Sequence, residues 1–136
     1  MKHLLDTSAL LAHHRQEPGW EKVQAVFDAV DGEPIVASLS LTELARRLFE
    51  LGATGEEALK TVADYRSLVA EVVAIDAAIA LEAFTLACRT TARLPLADAL
   101  IAAAAKSRGA RLVHRDAHMR CIPRDLLDQL DLEPPL

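Results

Sequence analysis

The sequence predicts an α/β domain in which helices flank a short parallel β-sheet. Short apolar runs alternate along the chain with longer segments whose apolar residues recur at helical spacing. The length of 136 residues suits one domain, and no repeat or linker divides it. Because 51% of the residues are hydrophobic and 26% are charged, the chain can bury a core without disulfides. We therefore expect residues 1–136 to form one domain.

Four short apolar runs are the predicted strands of this sheet. They cover residues 3–5, 35–37, 71–75 and 111–113. Each run is separated from the next by enough residues for at least one helix. Connections of this length favour right-handed crossovers, so the strands are expected to pair in parallel.

Helices are predicted in all three intervals between these strands. In the first interval, apolar residues recur at spacings of three and four at Trp20, Val23, Val26, Phe27 and Val30. In the second, the S-x-x-E pattern from Ser40 to Glu43 predicts a capping box and a helix that ends at Gly52. The predicted core face of that helix comprises Leu41, Leu44, Leu48 and Leu51.

Three further helices complete the prediction. One begins at Thr54 or Gly55 and continues to about Leu68. The next has an apolar stripe that comprises Ile79, Ala83, Leu86 and Ala87. After Pro95, the run Ala99–Ala105 is apolar on nearly every side, which predicts a buried helix.

Charge and apolar run length exclude several classes of protein. The 15 Lys and Arg residues against 20 Asp and Glu residues give a net charge of −5, which excludes a broad basic surface for coating nucleic acid. The longest stretch without a charged residue covers nine residues, 34–42, whereas a membrane span needs about 20 apolar residues. Two cysteines cannot form a disulfide framework, so we expect a reduced, cytoplasmic protein without a membrane segment.

Four acidic residues occupy equivalent places in the predicted layout. Asp6 and Asp116 follow strands, whereas Glu43 and Asp98 lie in the first turns of helices that follow strands. All four are therefore expected at the carboxyl edge of the sheet, where functional groups gather in such folds. Converging carboxylates repel one another, and a divalent cation such as Mg²⁺ or Mn²⁺ removes that repulsion.

Each acid also has a purely structural explanation. Asp6 could cap the turn that follows it, and Glu43 could complete the capping box or pair with Arg47. Asp98 could complement its helix dipole, and Asp116 could be an ordinary turn residue.

Each acid lies in a short motif, and the motifs are Leu4–Leu10, Ser38–Leu44, Leu94–Ala102 and Leu112–Asp116. In this order they resemble the four motifs of PIN-domain nucleases. The resemblance covers essentially the whole chain and, at this chain length, is most like a VapC-type toxin of a toxin–antitoxin system.

The resemblance implies a PIN-like three-layer fold with a short parallel sheet flanked by helices. It implies a Mg²⁺- or Mn²⁺-dependent endoribonuclease, a phosphodiester hydrolase that leaves 5′-phosphate and 3′-hydroxyl ends. The implied metal-binding and catalytic residues are Asp6, Glu43, Asp98 and Asp116, and Ser8 is implied to hydrogen-bond within the site. The implied partners are an RNA substrate, a small cognate antitoxin and a second copy in a homodimer.

Two positions depart from the family pattern. His114 stands where the family commonly has Thr or Ser, and Met119 stands where it commonly has Phe. The loss of the hydroxyl could weaken the orientation of Asp116, or His114 could take its place as a hydrogen-bond donor.

Other residues suggest competing chemistry. His114, His118 and Cys121 form a run with zinc-ligand spacing, although a fourth protein ligand is not evident. The two histidines could also cleave RNA by acid–base chemistry without a metal. Candidate phosphate contacts, which could equally be solvated or paired, are Arg15, Arg46, Arg93 and Arg115.

Two alternatives to a toxin stay open, namely a housekeeping RNA-processing nuclease of the same family and a nuclease-dead binding module. Two interpretations of Phe49 also stay open, because it lies off the face of Leu44, Leu48 and Leu51. It could tuck under the next helix, or it could line an exposed groove that accepts an amphipathic antitoxin segment.

Overall fold

Five strands form the central sheet of the computed structural model, which describes residues 1–133. Their bounds are Lys2–Leu5 for β1, Glu33–Ala37 for β2, Glu71–Val73 for β3, Arg111–His114 for β4 and Gln129–Asp131 for β5. The spatial order is β3-β2-β1-β4-β5, and every neighbouring pair is parallel. The last three residues of the predicted domain lie outside the described part of the chain.

Helices connect the strands as the sequence predicts. Those between β1 and β3 are α1 (Thr7–Arg15), α2 (Trp20–Asp28), α3 (Ser38–Glu50) and α4 (Gly55–Leu68). Those after β3 are α5 (Ala77–Cys88), α6 (Leu96–Ser107) and α7 (Ala117–Arg120). The predicted parallel α/β fold is therefore confirmed.

The sheet separates two apolar clusters because successive side chains of a strand point to opposite faces. Leu4 and Leu112 pack with α5, α6 and α7 on one face, and the alanines Ala102–Ala105 of α6 are completely buried there. Leu5 and Val113 pack with α1 to α4 on the other face. This arrangement is the expected three-layer fold, with the sheet between two layers of helices.

Register places the ends of the two central strands side by side. Leu5 of β1 pairs with Val113 of β4, and the amide of Asp6 donates to the Val113 carbonyl at 2.9 Å. Residues that follow β1 and β4 therefore emerge at the same carboxyl edge of the sheet. No helix within residues 1–133 is long and apolar enough to cross a membrane.

The predicted capping box at Ser40 is wrong. Helix α3 begins at Ser38, its N-cap Ala37 makes no side-chain hydrogen bond, and the Ser40 side chain is completely buried. A capping box forms at α4 instead, where the Thr54 hydroxyl accepts from the Glu57 amide and the Glu57 carboxylate accepts from the Thr54 amide. Thr54 is exposed in the short connection between α3 and α4.

Several boundaries also differ from the prediction. Strand β3 ends at Val73 rather than at residue 75, and Val30 lies beyond the end of α2 and is fully exposed. Leu51 follows α3 and is 42% exposed, so it does not belong to the predicted core face. Helix α1, helix α7 and strand β5 were not predicted, because they are short or lack an apolar run.

Candidate active site

The carboxyl edge of the sheet gathers the four acids that the motifs single out. Asp6 follows β1, Glu43 lies on α3, Asp98 lies in the first turn of α6, and Asp116 follows β4. Asp98 and Asp116 lie close together with His118, with one ligand atom from each residue within 4.8 Å of the others. The other acids also raise the pKa values of Asp6 and Asp98 through their charges. The four carboxylates therefore share one electrostatic environment.

Asp6 is the most deeply buried of these acids. Its side chain accepts hydrogen bonds from the amide and the hydroxyl of Ser8, which makes it the N-cap of α1. Burial raises the pKa of Asp6 to about 6; the Ser8 hydrogen bonds oppose this rise, and the charges of Asp116 and Glu43 add to it. The structural explanation of Asp6 as a cap is thus correct, and its carboxylate belongs to the cluster at the same time.

Ser8 connects the beginning of α1 to the segment that carries Asp116. While its hydroxyl donates to Asp6, the same oxygen accepts from the backbone amide of Arg115 at 2.9 Å. The two residues are 107 positions apart in the sequence, so the contact joins two of the motifs directly. Ser8 thereby holds the β1 and β4 ends of the site together.

Glu43 is held by Thr7 rather than by a capping box. The Thr7 hydroxyl donates to Glu43 Oε1 at 2.7 Å. Arg47, which the sequence offered as a partner for Glu43, pairs with Glu50 instead. Thr7, Ser8 and Glu43 line a cleft of about 370 Å³. Its remaining lining residues are Leu11, Arg46, Arg47 and Glu50.

The pKa of Asp98 is raised further than that of Asp6. Burial raises the pKa of Asp98 to about 7, the charges of Asp116, Asp6 and Glu43 add to this, and His118 opposes it. Only 15% of its side chain is exposed. Near neutral pH the cluster therefore retains protons that isolated carboxyls would have lost.

His114 supports Asp116 as an acceptor rather than as a donor. The Gln129 amide nitrogen donates to the Ile122 carbonyl at 2.8 Å, so its oxygen faces His114 Nε2 at 2.9 Å. Nε2 consequently carries the hydrogen, and Nδ1 accepts from the backbone amide of Asp116 at 3.2 Å. Burial lowers the pKa of His114, which keeps this side chain neutral. The expectation that His114 replaces the missing hydroxyl as a donor is therefore wrong.

Asp116 is an N-cap as well as a member of the cluster. Its Oδ1 accepts from the backbone amide of His118 at 2.8 Å, which begins α7. Because this bond and the one to His114 fix both the side chain and the backbone of Asp116, its carboxylate points towards Asp98 without needing the hydroxyl at position 114.

The histidine and cysteine run does not form a zinc site. His114 is completely buried and bonded to Gln129, whereas Cys121 is exposed and its thiol donates to the Ala117 carbonyl. The buried His114 also cannot reach a substrate, so the metal-free mechanism with two histidines is wrong. Of the three residues, only His118 joins the acids. The H-x3-H-x2-C spacing does not indicate this role, because it groups His118 with His114 and Cys121.

The candidate phosphate-binding arginines have different surroundings. Arg46 lines the cleft beside Glu43, whereas Arg115 pairs with Glu17 and Glu133 at 3.7 and 3.2 Å. Arg15 and Arg93 are exposed. Of these four, Arg46 is best placed to meet a substrate in the cleft.

The donor set suits a hard divalent cation. Three carboxyls with little exposure, Asp6, Asp98 and Asp116, offer oxygen ligands. Burial raises the pKa values of Asp6 and Asp98, and the repulsion from neighbouring acids adds to this rise. A cation between them would remove that repulsion, and carboxylate oxygens are the ligands that Mg²⁺ and Mn²⁺ prefer.

Comparisons with known proteins agree with this architecture. A family model described as the PIN domain matches residues 3–124. A chain of VapBC2 from Rickettsia felis, in a complex bound to a promoter DNA fragment, has a TM-score of 0.75 and 17% identity, with 96% of this chain and 98% of that chain covered. A chain of DNA-bound VapBC from Salmonella typhimurium has a TM-score of 0.73 and 22% identity, with 97% and 98% covered.

A third similar structure is VapC20 from Mycobacterium tuberculosis, described as a toxin that cleaves the sarcin–ricin loop. Its TM-score is 0.67 at 15% identity, with 87% of this chain and 92% of that chain covered. At these low sequence identities, the similarity shows that the folds are alike. The sequence has no significant match among curated proteins.

Proposed function

Because this chain belongs to the PIN-domain family, we propose that it is a divalent-metal-dependent endoribonuclease and the toxin of a toxin–antitoxin pair. The observation that carries the proposal is the convergence of four carboxylates at one sheet edge, with the pKa values of Asp6 and Asp98 raised to about 6 and about 7. The cleavage of cytoplasmic RNA would inhibit translation until the antitoxin covers the site.

In this proposal Asp6, Asp98 and Asp116 would hold Mg²⁺ or Mn²⁺, and Glu43 would contribute directly or through water. The cation would supply activation of water and neutralisation of the charge that develops on the phosphate. Ser8 orients Asp6, and Thr7 orients Glu43 through its 2.7 Å hydrogen bond. Arg46 contacts an RNA phosphate from the cleft, since a guanidinium group suits phosphate oxygens.

Cleavage of RNA by the purified, antitoxin-free protein tests the proposed activity. EDTA is expected to abolish cleavage and Mn²⁺ to restore it, because four uncompensated carboxylates cannot organise a phosphate without a cation. The products should carry 5′-phosphates that a phosphate-dependent exonuclease degrades. Full activity in EDTA, with 2′,3′-cyclic phosphate ends, would contradict the proposal.

An exposed apolar groove between α3 and α4 supports an antitoxin partner. Phe49 and Leu59 are 64% and 66% exposed, so the interpretation that Phe49 tucks under the next helix is wrong. The groove has a volume of about 310 Å³ and shares Arg46 and Glu50 with the cleft beside Glu43. Because the similar structures include toxin–antitoxin complexes, we propose that an amphipathic antitoxin segment binds here and extends to the acids.

Phe49→Glu is expected to weaken antitoxin binding at least tenfold, since a charge would replace an apolar anchor worth roughly 1.5–3 kcal/mol. RNA cleavage should stay nearly unchanged. Isothermal titration with the cognate antitoxin measures the first effect, and Val30→Glu is the control because Val30 is exposed outside the groove. Equal affinity of the two variants for the antitoxin would exclude the groove as the docking site.

We also propose that the protein forms a homodimer. Exposed apolar side chains that suit a second copy are Leu81, Phe84 and Leu96 on α5 and α6, each more than 70% exposed. Sedimentation of the antitoxin-free protein checks its mass, and a monomer at micromolar concentration would contradict this assembly.

A further inference from the structure

His118 faces the two acids that lie closest together at the carboxyl edge. Its Nδ1 lies 3.3 Å from Asp116 Oδ1 and 3.7 Å from Asp98 Oδ2. The imidazole is 58% exposed, so packing does not account for its position. Its backbone amide, and not its ring, makes the capping bond that begins α7. The ring is therefore available for an interaction of its own.

The spacing of these three side chains suits a shared cation. Two ligands that each lie about 2.1 Å from one metal ion are separated by roughly 3–3.5 Å when they occupy neighbouring positions. The separations of 3.3 and 3.7 Å come close to that range. A small adjustment of the half-exposed imidazole would bring its nitrogen into the coordination sphere.

The set is unlike a closed zinc site. Zinc in structural sites takes four nitrogen or sulfur ligands, whereas His118 is the single nitrogen donor beside carboxylate oxygens in this cluster. A mixed set of this kind leaves positions open for water and substrate.

A nitrogen ligand can bind one metal ion more tightly than another even when both ions bind oxygen ligands with similar affinity. Mg²⁺ retains oxygen ligands and several waters, whereas Mn²⁺ also favours oxygen ligands but accepts one imidazole nitrogen more readily than Mg²⁺ does. We propose that His118 supplies a nitrogen ligand to the metal centre and makes it prefer Mn²⁺ over Mg²⁺. This inference rests on the proposed metal-dependent activity. His118 thus sets metal selectivity, in addition to the oxygen ligands that provide most of the affinity.

Binding of Mn²⁺ to the intact protein, without RNA, tests this role by electron paramagnetic resonance. The wild-type complex is expected to show spin-echo modulation from a directly bound ¹⁴N nucleus. His118→Gln should abolish that modulation and weaken Mn²⁺ binding by about tenfold or more. Binding of Mg²⁺, measured by competition, should be nearly unchanged. His14→Gln is the matched control, because His14 is an exposed histidine on α1.

Each outcome decides a separate question. Nitrogen modulation that persists in His118→Gln, or an equal loss of Mn²⁺ and Mg²⁺ affinity, overturns the role of His118 in selectivity. Tight Mn²⁺ binding without nitrogen modulation in the wild type overturns it as well, while leaving the metal-dependent nuclease intact. If the wild type and Asp98→Asn both fail to bind either ion, the proposed metal centre itself is wrong. Unchanged thermal melting of His118→Gln confirms that the fold is retained.

Discussion

Asp98→Asn is expected to lower RNA cleavage by about a hundredfold or more while the protein stays folded. The amide has the shape of the carboxyl but lacks its charge, so the proposed metal centre loses one anionic ligand. Asp98 lies in the first turn of α6 without capping it, so α6 should keep its start. Cleavage rates measured at saturating Mn²⁺, with circular dichroism as the check on folding, test the expectation.

Asp125→Asn is the control for this experiment. Asp125 is exposed, and the substitution makes the same chemical change. The control should cleave RNA at the wild-type rate. If Asp98→Asn also cleaves RNA at the wild-type rate, Asp98 does not take part in the reaction. The raised pKa of Asp98 would then be a purely structural effect.

The second large effect concerns the stability of the metal-free protein. At pH 8, Asp98→Asn should melt at a temperature roughly 5 °C or more above that of the wild type, because it removes a carboxylate whose charge is disfavoured by burial and by the neighbouring acids. The pKa of Asp98 is raised from 3.8 to about 7, so the folded protein holds a proton that the unfolded chain releases. This stabilisation is complete below about pH 4 and is lost as the pH rises through 7.

The difference in melting temperature between Asp98→Asn and the wild type should therefore shrink as the pH falls below 7 and approach zero only below about pH 4. Comparing the two proteins cancels the opposite contribution of His114, whose lowered pKa destabilises the fold on acidification in both. Mn²⁺ should reverse the order at pH 8, because a bound ion stabilises the wild type more strongly than the variant. A difference that is independent of pH would contradict the shared electrostatic environment of the four acids.

The sequence was sufficient to predict the parallel sheet and the convergence of the acids. The sheet is predicted by short apolar runs, and the acids by their places just after strands or near the beginnings of helices. The register between β1 and β4 then brings Asp6 and Asp116 to the same edge of the sheet. The buried helix after Pro95 was equally predictable, because an almost entirely apolar segment has no solvent-facing side.

The partners of the acids could not be predicted from the sequence. The Ser40–Glu43 pattern is a valid local capping signal, yet the bond from Thr7, 36 residues away, holds Glu43 instead. Strand β5 could not be predicted for a similar reason. Gln129 and Asp131 are polar and so resemble loop residues in the sequence, but in the fold they are buried and form hydrogen bonds with His114 and Arg120. His118 joins the site through the turn that Asp116 caps, and spacing along the chain carries no sign of that geometry.

The bond between His114 and Gln129 makes these two positions epistatic. A hydroxyl residue at 114, as the family commonly has, would leave Gln129 Oε1 buried without a donor, at a cost of about 1–3 kcal/mol. Replacing Gln129 alone would leave the buried Nε2–H group of His114 without a hydrogen-bond acceptor. Each single substitution gives a less stable protein, so the exchange of this histidine for the family residue is expected to be tolerated best when position 129 on the edge strand changes as well.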